Sequence, residues 1–266
     1  MTNMLLRRDF LKVSLSLLAI GCQKPTTKSS KSLRFAVASD GHFGQPKTDY
    51  EAYFEAIIKN LQTERAANGL DFVVFNGDLF HDDIRFLPEV KKYFDRLGFP
   101  YYVTRGNHDH VTPAQWHNTW GYDLNHAVDM GKNAILLADT SNEKGEYLCP
   151  DMVWLDQALS KLTKKENVFL FMHIPAKTWT EHGTVCPDLE KLFLKYPNLK
   201  ATFHGHDHLI DEGKKGVIPA FFDGHFGGSW GVSYRGFRIV ETQKTGQSFT
   251  YQYDPVTKMK VNEQVF

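Results

Sequence analysis

An α/β fold is what this chain predicts, and three observations predict it. Short apolar, β-branched runs alternate with longer stretches of helical period, no repeat or low-complexity block interrupts them, and five of the apolar runs end in His, Asp or Asn. The carboxyl ends of strands are where such folds bind ligands. At 266 residues, with 42% hydrophobic and 14% aromatic content, the chain is long enough for one large core, and a single domain is expected over 33–266.

Taken in order, Leu33 to Ser39 reads as a strand that ends at Asp40-Gly41-His42. Tyr50 to Ala67 carries apolar residues at helical spacing (Tyr50, Tyr53, Phe54, Ile57, Ile58, Leu61) and stops near Asn68-Gly69. Phe72 to Phe75 is apolar throughout, as a strand covered on both faces is, and ends at Asn76-Gly77-Asp78. Glu89 to Leu97 is a second helix. Tyr101 to Thr104 is a strand that delivers Arg105-Gly106-Asn107-His108-Asp109, where Gly106 is expected to let the backbone turn sharply. Val111 to Gly131 is rich in aromatics and His, has no clean period, and reads as a functional loop or cap. Ala134 to Ala138 is a strand, Trp154 to Leu162 a helix, and Val168 to Met172 a strand ending at His173-Ile174-Pro175. Asp188 to Tyr196 is helical, and Ala201 to Phe203 is a short strand running into His204-Gly205-His206-Asp207-His208. Val217 to Phe222, Ser233 to Val240 and Ser248 to Tyr253 then read as an antiparallel edge.

The first thirty residues differ from the rest. Arg7-Arg8-Asp9-Phe10-Leu11-Lys12 precedes an uncharged run, Val13 to Ile20, which reads as an export signal over residues 1–22. Eight residues at about 1.5 Å each are too few to cross a hydrocarbon core of roughly 30 Å. The arginine pair resembles a twin-arginine signal, a route for proteins exported already folded. Leu18-Ala19-Ile20-Gly21-Cys22 is similar to a bacterial lipoprotein processing site with Cys22 as the acylated residue, although Ala19 departs from the commoner Leu. Residues 23–32, rich in Lys, Ser and Thr, form a flexible tether on that reading. The expected location is the periplasm or cell envelope, with a lipid anchor.

Lys plus Arg and Asp plus Glu are both 31. Removing Met1 to Gly21 takes away three basic residues and one acidic residue, leaving 28 against 30. Such a balance gives no overall basic field, so nucleic acid is not an expected partner. Cys149 and Cys186 each precede proline and belong in loops; they lack the spacing of a thiolate metal site, and pairing or remaining as free thiols both stay open.

Asp40, His42, Asp78, Asn107, His108, His173, His206 and His208 all fall at the ends of those five strands. Adjacent strands lie about 4.8 Å apart, so their ends bring seven or eight donors within reach of two metal ions roughly 3.5 to 4 Å apart. Carboxylate, amide and imidazole donors without thiolate favour iron, manganese or zinc, divalent or mixed-valence. His81, Asp82, Arg105, Trp179, His182 and His225 are near these in sequence, and the Arg105 guanidinium fork suits a substrate phosphate, with His81 a second candidate contact.

In their order, Asp40-Xaa-His42, Gly77-Asp78, Gly106-Asn107-His108-Asp109, His173 and Gly205-His206-Xaa-His208 resemble the calcineurin-like metallophosphoesterases over about residues 33 to 240. The resemblance implies a four-layer αββα sandwich of two mixed β-sheets flanked by helices. It implies that Asp40, His42, Asp78 and His208 hold one metal and Asp78, Asn107, His173 and His206 the other, with Asp78 bridging. The implied reaction is hydrolysis of a phosphomonoester or phosphodiester by a hydroxide shared between the ions, on a small phosphorylated molecule or nucleotide. His108 is the expected general acid, with Asp109 orienting its ring. His42 and His81 stand where purple acid phosphatases have Gly and Tyr, which disfavours that subgroup, whereas class III cyclic-nucleotide phosphodiesterases remain compatible. Gly77-Asp78-Leu79-Phe80-His81 is also similar to repair exonucleases, so a nuclease is one alternative; a non-catalytic surface lipoprotein using the fold to bind is another.

Overall fold

The computed structural model describes residues 32–210, 216–243 and 246–266. The expected export segment, Cys22 and the tether up to Lys31 lie outside the described residues. Among the described residues no helix is long and apolar enough to cross a membrane.

In chain order the elements are β1 (Arg34–Ala38), α1 (Tyr50–Asn68), β2 (Phe72–Asn76), α2 (Leu87–Asp95), β3 (Tyr101–Thr104), α3 (Pro113–Trp120), β4 (His126–Met130) and β5 (Asn133–Ala138). Then come α4 (Met152–Lys161), β6 (Asn167–Met172), α5 (Leu189–Phe193), β7 (Leu199–His204), β8 (Ala220–Phe222), β9 (Phe237–Thr242), β10 (Ser248–Asp254) and β11 (Met259–Val265). They form a sheet ordered β11-β10-β9-β1-β2-β3 and another ordered β4-β5-β6-β7-β8. Both are mixed: β1 runs parallel to β2 and antiparallel to β9, while β5 runs antiparallel to β4 and parallel to β6.

Side-chain alternation builds the layers. Phe35 and Val37 of β1 join Phe72 and Val74 of β2 against Ile135, Leu137, Phe169, Phe171 and Phe203 of the other sheet. On the outer face of the first sheet, Ala36, Ala38, Val73 and Phe75 meet Phe54, Ile57, Ile58 and Leu61 of α1, which recur at i, i+3, i+4 and i+7. Ala134, Leu136, Leu170 and Met172 meet α4 and α5 on the outer face of the second. The result is the four-layer sandwich of two mixed sheets flanked by helices that the sequence led one to expect.

Two sequence expectations are corrected. Val111 to Gly131 is no cap: it holds α3, with a Thr112–Gln115 capping box, Pro113 in its first turn and a left-handed Gly121 at its end, followed by β4. Its Trp116 is fully buried in the core. The segment leading to Phe222 does not join an antiparallel edge either, because β8 pairs parallel with β7. The final strand β11, mostly exposed and paired to β10, carries little apolar pattern and escapes sequence reading.

Cys149 and Cys186 are joined in a disulfide. The bond ties the loop after β5 to the loop after β6.

Candidate metal centre

Each ligand candidate sits on the first turn beyond a strand. β1 ends before Asp40 and His42, β2 before Asp78, β3 before Asn107 and His108, β6 before His173, and β7 before His206 and His208. Their side chains gather in two groups: ligand atoms of Asp40, His42 and His208 lie within 4.8 Å of one another, as do those of Asp78, His173 and His206. The groups touch, since His42 Nε2 is 3.7 Å from Asp78 Oδ2 and His173 Nε2 is 3.9 Å from Asp40 Oδ1. Within them His42 Nε2 faces His208 Nε2 at 3.1 Å, and His173 Nε2 lies 3.2 Å from Asp78 Oδ2.

The backbone is bent hard to achieve this. Asp40, His42, Asp78, His206 and His208 all have left-handed φ between 46° and 71°, a region costly for residues with a Cβ. Gly106 departs from expectation: it is not among the positive-φ residues, and glycine is needed for space. A Cβ there would fall 2.1 Å from both the amide nitrogen and Oδ1 of Asp78.

The rings are aimed by their outer nitrogens. His173 Nδ1 lies 2.7 Å from the Asn76 carbonyl and His208 Nδ1 3.0 Å from that of Trp230, which leaves Nε2 of each pointing inward. Asn76 also accepts from Ser39 Oγ and donates from Nδ2 to the Phe203 carbonyl, so one side chain and its carbonyl knit both sheets behind the site. Sequence reading passed over it; a polar residue closing the buried run Phe72 to Phe75 was the available signal.

Burial and charge split the imidazoles. Burial drives His42 down to about 3 and His206 down to about 4, so both present neutral lone pairs. His173 is also buried, but the carboxylates of Asp78 and Asp40 outweigh that and hold it up to about 10. In His208 burial is likewise outweighed, by Asp40, and its pKa is raised. Burial opposes the charge on Asp40 and Asp78, yet the adjacent imidazoles hold both carboxyls below the ordinary range, Asp40 at about 2.

A pair of cations fits this donor set. Asn107 Oδ1 is buried without a hydrogen-bond partner, which is costly unless something else satisfies it. Imidazole, carboxylate and amide donors suit iron, manganese or zinc.

His108 donates its backbone N–H to Asp78 Oδ1 at 2.8 Å, and its ring stacks on His81 at 4.7 Å and meets His42 edge-on at 5.1 Å. The carboxylate beside the ring is Asp82, whose Oδ1 is 2.7 Å from His108 Nδ1 and 3.3 Å from His110 Nε2. Asp109 does not orient His108, contrary to expectation. It is fully buried and accepts from the backbone N–H groups of Leu79, Phe80 and Gly106, which locks the loop after β2 to the loop after β3.

Arg105 is also reassigned. Its guanidinium is 97% buried, pairs with Asp139 and donates to the carbonyls of Val111 and Ser141, so no face is left for a phosphate. Trp179 packs in the core and donates to Glu190, and His182 lies in the loop after β6 and belongs to neither donor group. His225 is buried with its ring nearly parallel to His208 at 4.6 Å. His81 is the one substrate candidate the structure keeps at the site, its Nδ1 3.2 Å from His42 Nδ1. Tyr147 and Trp230, which no motif singled out, meet His206 and His208 respectively.

Solved structures share this fold at low identity. A dimetal phosphatase from Danio rerio matches with a TM-score of 0.67 and 12% identity, over 88% of this chain and 98% of that one. A purple acid phosphatase from yellow lupin (Lupinus luteus) seeds matches with a TM-score of 0.64 and 13% identity, over 89% of this chain and 54% of that one. A putative 5′-nucleotidase from Staphylococcus aureus has a TM-score of 0.55 and 13% identity over the same shares, so this chain spans about half the length of the last two. No curated protein matches the sequence. The family model described as calcineurin-like phosphoesterase matches residues 33–209, more than half of the chain. With its ligand residues converging as that fold requires, the chain belongs to the calcineurin-like phosphoesterase family.

Proposed function

We propose that the protein is a dinuclear-metal phosphoesterase that hydrolyses a phosphomonoester or phosphodiester of a small molecule. The observation that carries this reading is the meeting of two His/Asp groups with unpartnered Asn107 Oδ1 at the strand ends. Asp40, His42 and His208 would hold one cation and Asn107, His173 and His206 the other, with Asp78 common to both. When bound, the ions supply positive charge that makes water a nucleophile near neutral pH and neutralises phosphoryl oxygens.

The chain's own groups handle the leaving oxygen. Asp82 accepts from His108 Nδ1–H, so the proton that the ring delivers leaves from Nε2 of its doubly protonated form. His108 is tied through its backbone to Asp78, so the acid moves with the ligand loop. His81, stacked on His108, adds a second imidazole for phosphoryl oxygens.

Metal analysis of the purified protein, followed by assays on p-nitrophenyl phosphate and bis(p-nitrophenyl) phosphate, tests the proposal. Two transition ions per chain and turnover abolished in Asp78→Asn and His108→Asn support it. Bound metal without turnover leaves a binding module, and cleavage of single-stranded DNA at physiological salt makes it a nuclease.

We also propose export by the twin-arginine route and a lipid anchor at Cys22, supported by Arg7-Arg8 and by Leu18-Ala19-Ile20-Gly21-Cys22. Labelled palmitate should enter the wild-type chain and not the Cys22→Ser variant; equal labelling, or none in either, sinks the anchor.

A further inference from the structure

Two large aromatic side chains stand partly in water beside the metal-site imidazoles, Trp230 at 40% exposed and Tyr147 at 43%. The Trp230 indole stacks on His208 at 4.3 Å and 13°, and its centroid is 4.6 Å from that of His42. Because His225 is nearly parallel to the same imidazole at 4.6 Å, and two rings so close cannot share a face, His208 is clamped between them.

The turn Gly228-Ser229-Trp230-Gly231 is shaped to hold the indole there. The Trp230 carbonyl faces His208 Nδ1 at 3.0 Å, and Ser229 Oγ accepts from Gln45 at 3.1 Å. A Cβ on Gly231, whose φ is 91°, would fall 2.4 Å from His208 Cβ, and one on Gly228 2.9 Å from His208 Cε1. Only glycine allows the backbone to lie flat on the ligand ring.

Tyr147 sits beside the other group of ligands, edge-on to His206 at 4.8 Å and 84°. Its loop is braced by a bridge to Ser141, by the disulfide at Cys149, and by Gly145 packed on the Asn107 carbonyl. Each half of the centre therefore carries one rigid, half-wet ring. Such a ring binds a second ring at small entropic cost, because its own rotamer is already fixed.

We propose that Trp230 is the platform of the subsite for the alcohol half of the substrate, and that this alcohol carries a flat aromatic group, a nucleobase or an aryl ring. The proposal rests on the phosphoesterase reading above. An aliphatic alcohol would leave the indole in water, whereas a flat one covers it by stacking, with little dependence on which ring it is.

The test uses the manganese-loaded full chain and its Trp230→Ala and Trp230→Phe variants. Substrates are phosphate esters of a nucleoside, p-nitrophenol and glycerol, each as the monoester and the methyl diester. Variant-to-wild-type ratios of kcat/KM cancel the differing leaving-group reactivities. For Trp230→Ala the loss on the ring-bearing esters should exceed the loss on the glycerol esters by about tenfold or more, and Trp230→Phe should recover most of it. Excess loss on the nucleoside alone identifies the ring as a nucleobase, and on both as any aryl group. Equal losses on all substrates would mean that the indole acts only through His208, and overturn the subsite. No excess loss on either ring-bearing ester overturns it too. No turnover of any ester by the wild type would overturn the phosphoesterase reading itself, and the subsite with it.

Discussion

Nε2 of His42 and Nε2 of His208, 166 positions apart in the chain, face each other at 3.1 Å in a fully buried pocket. Two neutral lone pairs so placed repel unless a proton or a cation lies between them. Without metal, a proton on His208, whose pKa is raised, takes that place, and in the other group His173 stays charged up to about 10.

Metal binding must therefore expel protons. Across pH 6.5 to 9, His173 is protonated in the metal-free protein and neutral as a ligand, so apparent affinity should rise about tenfold per pH unit for each proton released. Titration calorimetry in buffers of different ionisation heat should count at least one proton per chain. For the metal-free fold the sign is opposite: the raised His173 pKa contributes stability fully present below about 6.5 and lost as pH rises through about 10. Saturating metal at a hundredfold excess over Kd should then add about 2.7 kcal/mol per bound ion, seen as a higher Tm that a chelator reverses.

Gly106→Ala should cost the metal before it costs the fold. The added methyl meets Asp78 at 2.1 Å, and overpacking of that kind destabilises by about 1 to 3 kcal/mol. Urea unfolding should show that loss in a cooperative protein, while elemental analysis shows less than the wild-type metal content. Full metal with wild-type stability would contradict the close approach.

Asp82→Asn and Asp109→Asn should separate cleanly. The first replaces the charged acceptor beside the His108 ring by a neutral amide and should lower kcat by about ten- to a hundredfold at unchanged metal content, by analogy with positioned acid–base pairs. The second disturbs three backbone N–H donors in a buried place and should cost about 1 to 3 kcal/mol of stability. Kinetics and denaturation on both variants decide the assignment; catalytic loss without stability loss in Asp109→Asn would restore its pairing with His108.

Arg105→Ala should behave as a structural lesion. It strands Asp139 and two carbonyls in the interior, and breaking a buried pair costs about 3 to 5 kcal/mol. A raised KM with unaltered thermal stability would instead mark a substrate contact.

The layers and the ligand positions were legible because both follow from local pattern: short apolar runs in β1 and β5, helical spacing in α1, and a polar cluster after each buried run. What stayed hidden depended on distant partners. That Asp82 rather than Asp109 meets His108 is decided by how the loops after β2 and β3 interlock, and the fate of Arg105 by Asp139, 34 positions away. The helix α3 was missed although Thr112-Pro113 and Gln115 announce it, because its aromatics drew attention to ligands instead of caps. Trp230 lies in a glycine-rich turn with no period, so only the stack on His208 reveals it.

The left-handed turns at Asp40, His42, Asp78, His206 and His208 also constrain what this chain can become. Glycine relaxes at such φ values where a side chain does not, by about 1 kcal/mol per position. Chemistry and foldedness thus pull these sites in opposite directions. A descendant released from catalysis would gain robustness by drifting toward glycine at these five turns, and that drift, read in a homologous chain, would date the retirement of an enzyme into a scaffold.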